Sequence, residues 1–275
     1  MNPRRKDHDF GKAVWSLIFS LLCIALASLP AKANDEANTI PNGTILPVRL
    51  NSTISSAKCK PSHRIAGKIM QDVPLPTGAK IRKGSEVVGH IVQVTPATGS
   101  QGASVSLQFD KLITANQAYP ITTDLRAIAS FMEVMAAQTP PIGPGEGDVY
   151  DWLTTVQVGG DVVYGVGGPV TRGENSDDVV EKSIRGGVLS HVKTNEDAKC
   201  RGAIDGDDRL QAFWVFSSDA CGTYGLAHIR IAHAGRTDPS GVIILATTAH
   251  HLKIAEGAGI LLRVIVRGNS LGASR

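Results

Sequence analysis

Glycines and basic residues are concentrated in the stretch Gly78–Val94, "GAKIRKGSEVVGHIVQV", where they could form a loop that binds phosphate. Such a loop leads from a strand into a helix, because the amides at the helix start hold the anion. Here the residues after Ser85 follow a period of two, which is typical of a strand. The stretch therefore predicts a tight corner followed by a strand, with Gly84, Ser85 and Gly89 as structural residues.

Histidines and aspartates are the other residues that could transfer protons or bind a metal. His228 and His233 are an odd number of residues apart, and His250 and His251 are adjacent, so on regular strands each pair points to opposite faces. Neither pair has the neighbouring ligands of a zinc site. The acidic run 205–208 could bind calcium, but it lacks the EF-hand order, and a solvated turn is the simpler interpretation. No nucleophile elbow or dinucleotide motif occurs, and we predict no catalytic residue, metal or cofactor.

Aromatic and arginine side chains in and just before the glycine-rich stretch 220–241 are candidates for binding a partner, because both types are enriched at binding hot spots. These candidate contacts are Trp214, Tyr224, Arg230 and Arg236. The alternative is a curved hairpin whose aromatic side chains lie in the core.

Short strands bounded by turns dominate the sequence and favour a mainly β fold, either a barrel or a sandwich. Segment 104–113 is the clearest, since Val105, Leu107 and Phe109 share one face. The closing stretch Leu252–Val266 is too apolar to end as an exposed edge strand, so we expect it to pair with Ile45–Leu50. We predict a small β-barrel formed by both chain ends, with an inserted middle segment that contains one or two short helices and further strands.

Helical spacing of Leu125, Ile128, Met132 and Met135 predicts a short helix within 125–137. We expect Ile128 and Met132 to be partner contacts on its apolar face. A second short helix is predicted around 179–184.

Four segments and the closing stretch follow a common pattern: "IPNGTILPVRLNSTI", "AGKIMQDV", "GAKIRKGSEVVGHI", "VSLQFDKLI" and finally "LKIAEGAGILLRVIV". This pattern, over about 40–125 and 252–266, resembles the C-terminal β-barrel of TrbI-type subunits, the channel-forming core components of type IV secretion and conjugation machines. Its corner is matched by Ile81, Gly84, Ser85 and Gly89, while Arg82 stands where the family has proline. The resemblance implies a non-catalytic barrel that assembles with other envelope proteins.

The first 33 residues have the arrangement of a cleaved export signal. Arg4, Arg5 and Lys6 precede an uncharged run, and Ala31 and Ala33 form the small-x-small pattern of a cleavage site. The alternative is an uncleaved membrane anchor. The chain then divides into a polar lead-in (34–39), the first part of the barrel with the short helix (40–142), the inserted segment (143–249), and the closing strands and tail (250–275).

Charge argues against nucleic acid as a partner. The leader holds five of the 28 basic residues and two of the 25 acidic ones, so the remaining 242 residues carry 23 of each. A nucleic-acid footprint requires a surplus of clustered Lys and Arg, which the mature chain lacks.

Three cysteines remain after the leader, and an oxidising compartment favours a disulfide between two of them. Cys200 and Cys221 flank a polar stretch and a strand-like run, so they are the predicted pair. The alternative is three buried thiols, and the role of Cys59 stays open.

These features predict an exported, non-catalytic assembly component, located in the periplasm or peripherally at the outer membrane, that binds other envelope proteins or itself. The alternative is a periplasmic module, housed in 143–249, that binds a glycan or another ligand or acts as an enzyme.

Cleavage of the leader is directly testable. We expect intact-mass analysis of the protein from cell envelopes to give a chain that begins at Asn34, since Ala33 completes the cleavage pattern. A chain that retains Met1 would establish the anchor instead.

Overall fold

A computed structural model describes residues 39–99, 101–138, 157–160, 187–192 and 209–265, together with the backbone of three strands between 162 and 182. The fold is mainly β, as predicted. Within the described residues, no helix is long and apolar enough to cross a membrane.

Nineteen strands and one helix are described. In chain order the strands are β1 (Ile45–Leu50), β2 (Ile54–Ser55), β3 (Arg64–Ile69), β4 (Val73–Pro74), β5 (Lys80–Ile81), β6 (Glu86–Thr95), β7 (Ser104–Ile113), β8 (Ala118–Pro120), β9 (Thr123–Ala129), β10 (Val162–Tyr164), β11 (Pro169–Arg172), β12 (Val179–Lys182), β13 (Val188–Ser190), β14 (Gln211–Trp214), β15 (Gly222–Tyr224), β16 (Ile229–His233), β17 (Ile243–Thr247), β18 (Lys253–Ile254) and β19 (Gly259–Val264). The helix α1 (Phe131–Gln138) follows β9.

The main sheet curls into a nearly closed barrel in the order β15-β9-β19-β1-β3-β6-β7-β17-β16, with β8 added beside β7. Its two ends approach each other, because the Leu125 amide of β9 donates to the Ala234 carbonyl, just beyond β16, at 2.8 Å. The Thr223 hydroxyl of β15 also donates to the Ile229 carbonyl of β16 at 3.1 Å. We call this junction between β9–β15 and β16 the barrel seam.

Both chain ends form adjacent strands of the barrel, as the apolar closing stretch predicted. Strands β1 and β19 pair antiparallel, with Val48 opposite Ile260 and Leu46 opposite Leu262. This pairing satisfies the backbone groups of the closing strand, which would otherwise be an exposed edge.

Apolar side chains fill the barrel interior. The alternation predicted for β7 is confirmed, since Val105, Leu107 and Phe109 are all buried and belong to one core cluster with Ile91 of β6. A barrel of this size is commonly filled by its own side chains rather than by a ligand.

A second apolar cluster covers the outside of the barrel where β1, β9 and β19 lie side by side. It includes Ile45 and Leu261 from the barrel, Val134 from α1, and Phe213 and Phe216. Every residue of β9 is buried, because one of its faces packs into the barrel and the other packs under this cluster.

The helix is shorter than predicted and begins later. Residues 125–129 belong to β9, and α1 starts at Phe131. Pairing of β9 with β19 on one side and β15 on the other determines the extended backbone, so tertiary pairing overrides the helical spacing of Leu125 and Ile128. The predicted helix around 179–184 is also wrong, because Val179–Lys182 is strand β12, paired with β11.

The barrel also takes in more of the chain than the 143–249 boundary implies. Strand β17 pairs with β7, and β16 pairs with β17, so 229–247 contributes to the main sheet. Both strands have the alternating burial of a one-sided barrel wall, with Ile243 and Leu245 turned inward.

Within Gly78–Val94 the structure contains strand β5, a corner at Lys83 and Gly84, and strand β6, rather than a phosphate loop leading into a helix. Gly84 has φ of 91°, a conformation that favours glycine, and its amide donates to the Ile69 carbonyl at 2.8 Å. Ser85 is buried. Gly89 lies at a register shift between β6 and β7, and a Cβ there would lie 1.9 Å from the Gln108 carbonyl oxygen.

Replacing Gly89 with alanine should therefore destabilise the fold by about 3 kcal/mol, because the partner atom is backbone and cannot move aside. Gly84→Ala, which has open space but keeps the positive φ, should cost about 1–2 kcal/mol. Urea unfolding measures the free energy of unfolding of both variants, and Gly89→Ala should lose more of it than Gly84→Ala. Equal free energies of unfolding for Gly89→Ala and the wild type would contradict the close approach.

Candidate functional site

Three large apolar side chains project from helix α1 into solvent. Phe131 is 43% exposed, Met132 70% and Met135 43%, and with Val92 they are the large exposed apolar residues of the described chain. Residues three and four apart share a helix face, so the three form one surface, which we call the apolar ridge. Apolar side chains that cluster in solvent mark surfaces for partners.

The helix is fixed so that this face stays outward. Its N-terminus is capped by Ser130, whose hydroxyl oxygen accepts from the Glu133 amide at 3.2 Å. On the opposite face Val134 and Ala137 are buried in the second apolar cluster. Val134 packs so closely over β19 that a Cβ at Gly259 would lie 2.9 Å from its methyl group.

A cavity lies on each side of the helix. The first, of about 410 Å³, is lined by Phe131 together with Arg49, Leu50, Asn51, Glu256 and Gly257. The second, of about 460 Å³, is lined by Glu133, Ala136 and Ala137 of α1, by 157–160 and by Tyr224. We call the second the Tyr224 cavity. The first cavity therefore includes the ridge residue Phe131, and the second is lined by α1 residues that alternate with the ridge residues along the helix.

Tyr224 is held rigidly at the wall of its cavity. Its hydroxyl accepts from the Cys221 amide at 2.8 Å and donates to the Cys221 carbonyl at 2.9 Å. Burial raises the pKa of Tyr224 above its ordinary value, so the phenol stays neutral. Gly159, with φ of 87°, approaches so closely that a Cβ there would lie 2.6 Å from the Tyr224 hydroxyl oxygen.

A cluster of ion pairs lies at the barrel seam, away from the ridge residues. Asp124 of β9 is fully buried, and its Oδ2 accepts from Arg263 Nε at 3.0 Å and from Arg236 Nε at 3.3 Å. Arg236 also donates to the Leu125 carbonyl at 3.2 Å. Beside them, burial lowers the pKa of Arg126 to about 10, and the charges of Arg236 and Arg263 add to this effect. Arg126 therefore remains protonated at neutral pH.

The predicted contacts separate into exposed and buried residues. Met132 lies on the ridge, Tyr224 is half-buried at the cavity, and Arg230 is exposed on β16. Ile128 is wrong as a surface contact, because it is fully buried with the barrel core. Trp214 is likewise wrong, since it is 4% exposed within the second cluster, as the alternative of core aromatics proposed. Arg236 serves the ion pairs of the seam.

Histidines and acids are dispersed over the described residues, where no group of three could hold a metal ion. His250 and His251 lie with ring centroids 5.9 Å apart, and His90 Nδ1 contacts Asp110 Oδ2 at 2.8 Å. The calcium candidates Asp205, Asp207 and Asp208 lie outside the described residues.

The cysteine prediction is not settled by the described residues. Cys200 lies outside them, so its disulfide with Cys221 stays a prediction. Cys59 is a buried free thiol, and its sulfur accepts from the Ser55 amide at 3.4 Å.

No family model and no curated protein matches this chain. The resemblance to TrbI-type barrels therefore stays a hypothesis that rests on the residues quoted for it.

Sequence reasoning missed Glu133, segment 157–160 and Asp124. The pattern Ser130-x-x-Glu133 is a capping-box signature, which could have placed the helix start after Ser130. Asp124 carries no local signal, because its partners are more than 100 residues away along the chain.

Asp124→Asn should destabilise the protein by about 3 kcal/mol, since removing the fully buried carboxylate leaves two largely buried arginines without their counter-charge. The matched control is Asp72→Asn, which removes a half-exposed carboxylate that pairs with Lys80 and Arg82 and should cost about 1 kcal/mol or less. Urea unfolding of the two variants and the wild type measures the loss of unfolding free energy in each. An equally small loss of unfolding free energy in both variants would show that the barrel seam does not depend on Asp124.

Proposed function

We propose that this protein is an exported, non-catalytic component of the cell envelope that acts by binding another protein through the apolar ridge. The observation that carries the proposal is the concentration of exposed Phe131, Met132 and Met135 on one short, fixed helix. The leader sequence, and the resemblance to TrbI-type barrels, support the location in the periplasm or at the outer membrane.

The filled barrel supports a role on the outer surface. Phe109, Leu107 and Ile91 are among the fully or nearly fully buried side chains of the interior. Both cavities beside α1 lie next to the ridge, so shape and apolar surface occur together at one place. Binding sites combine these two properties.

The residue types of the ridge suit a protein partner. Methionine is flexible and polarizable, so Met132 and Met135 can adapt to an apolar surface, while the Phe131 ring offers a large rigid contact. The Phe131 ring rests on the backbone turn at Gly257, where a Cβ would lie 2.6 Å from it. The partner would meet a firm aromatic edge and two adaptable side chains.

The charge balance of the mature chain, with 23 basic and 23 acidic residues, fits recognition by apolar contact rather than attraction to a nucleic acid. Partners of this kind include other envelope proteins and a second copy of this chain.

One observation favours the rival function of a ligand-binding module in 143–249. Residues 157–160 of that segment contribute a wall of the Tyr224 cavity, whose volume of about 460 Å³ is in the range of small-molecule sites. A protein that stays monomeric in its native envelope would favour the ligand-binding module over the partner-binding component.

The double substitution Met132→Asp and Met135→Asp should abolish association, because charges on the ridge would have to be desolvated in the interface. Cross-linking and native sizing in envelope extracts measure this. The wild type should give a cross-linked adduct that the double variant loses, while unfolding by urea stays unchanged.

Val92→Asp is the matched control, since Val92 is an exposed apolar residue on strand β6 rather than on the helix. It should retain the adduct. A wild-type protein with no cross-linked neighbour, or a double variant that associates normally, would refute the proposed function.

A further inference from the structure

The walls of the Tyr224 cavity are held in place by the protein itself. Tyr224 is fixed by its two hydrogen bonds to Cys221, as described above. Next to it, in segment 157–160, the Val158 amide donates to the Val215 carbonyl at 2.8 Å, and the Gln157 side-chain amide donates to the Trp214 carbonyl at 3.3 Å. A cavity formed in advance costs a ligand little reorganisation free energy.

Among the described residues that line this cavity, Glu133 carries the only charge. Its carboxylate forms no hydrogen bond and no salt bridge in the part of the chain that the structure describes, and its side chain is half-buried beside Gly225. A partly buried carboxylate gains most from a cation that donates hydrogen bonds to it.

The remaining walls are apolar or neutral. Ala136 of α1 is exposed and presents its methyl group, Tyr224 adds an aromatic ring, and Ala137 and Val158 are buried beneath. Arginine and lysine side chains have this same division, with an apolar stem that packs on apolar surface and a cation at the tip. A negatively charged group would meet Glu133 with no compensating cation in the wall.

The cavity also adjoins the ridge. Ala136 is exposed and lies one helical turn after Met132, so a wall residue of the cavity and a residue of the ridge share one face of α1. We propose that the Tyr224 cavity takes an arginine or lysine side chain of the partner protein, with its stem along Ala136 and Tyr224 and its cation on the Glu133 carboxylate. This inference rests on the proposed function, because the ridge brings the partner to the cavity.

A free side-chain analogue tests the cavity without the partner. The probe is Nα-acetyl-L-arginine amide, titrated into the ¹⁵N-labelled protein while the amide signals of Gly159 and Gly160 are followed. Nα-acetyl-L-citrulline amide, which has the same shape but no charge, is the matched control probe. The arginine probe should shift both signals at concentrations at least about tenfold lower than the citrulline probe, since hydrogen bonds to a charged group are the stronger ones.

Glu133→Gln keeps the shape of the side chain and removes its charge, so it should weaken the arginine probe by about tenfold or more. Glu256→Gln, on the other side of the helix, is the matched control and should bind the probe like the wild type. Unfolding by urea checks that both variants are folded. Equal binding of the two probes, equal binding by Glu133→Gln and the wild type, or no shift of either glycine signal would overturn the inference.

The same variant separates this inference from the proposed function. If Glu133→Gln associates like the wild type while the double ridge variant does not, the ridge binds the partner and the cavity takes no basic side chain from it. If the wild type forms no adduct, the proposed function fails, and so does the assignment of the cation to a partner, whatever the probe shows.

Discussion

One buried carboxylate joins the two ends of the barrel sheet. Asp124 lies on β9 and accepts from Arg263, its partner on the adjacent strand β19, and from Arg236, which follows β16 at the far end of the sheet. The backbone closes at the same place, because the Leu125 amide donates to the Ala234 carbonyl. A buried carboxylate without its cations is strongly destabilising, so the ion pairs and the closure depend on each other.

The order of the strands next to this junction determines where the helix lies. It leaves β9, β19 and β1 side by side with an apolar outer face, which is covered by Val134 of α1 and by the aromatic residues around Phe216. Because that cover occupies one face of a short helix, the opposite face must meet solvent or a partner. The ridge is thus a consequence of how the barrel is covered, and the chain has placed Met132 and Met135 there rather than polar residues.

The sequence predicted the features that repeat locally. Alternation in β7 and the apolar closing stretch predicted a barrel and the pairing of β1 with β19, because period two and edge exposure are visible in one segment at a time. Segment 125–129 was wrongly predicted as helix, since Leu125 and Ile128 also fit helical spacing. Only the pairing with β15 and β19 makes their backbone extended. Trp214 and Asp124 could not be placed, because their surroundings come from distant parts of the chain.

A partner bound at the ridge, as proposed, would lie within reach of a cross-linker on α1. A photo-crosslinking amino acid placed at position 132 and, separately, at position 92 in the cell tests this proposal most directly, because both positions are exposed and only one lies on α1. We expect a discrete cross-linked protein from position 132 and none from position 92. Cross-linking from neither position, or the same product from both, would contradict it.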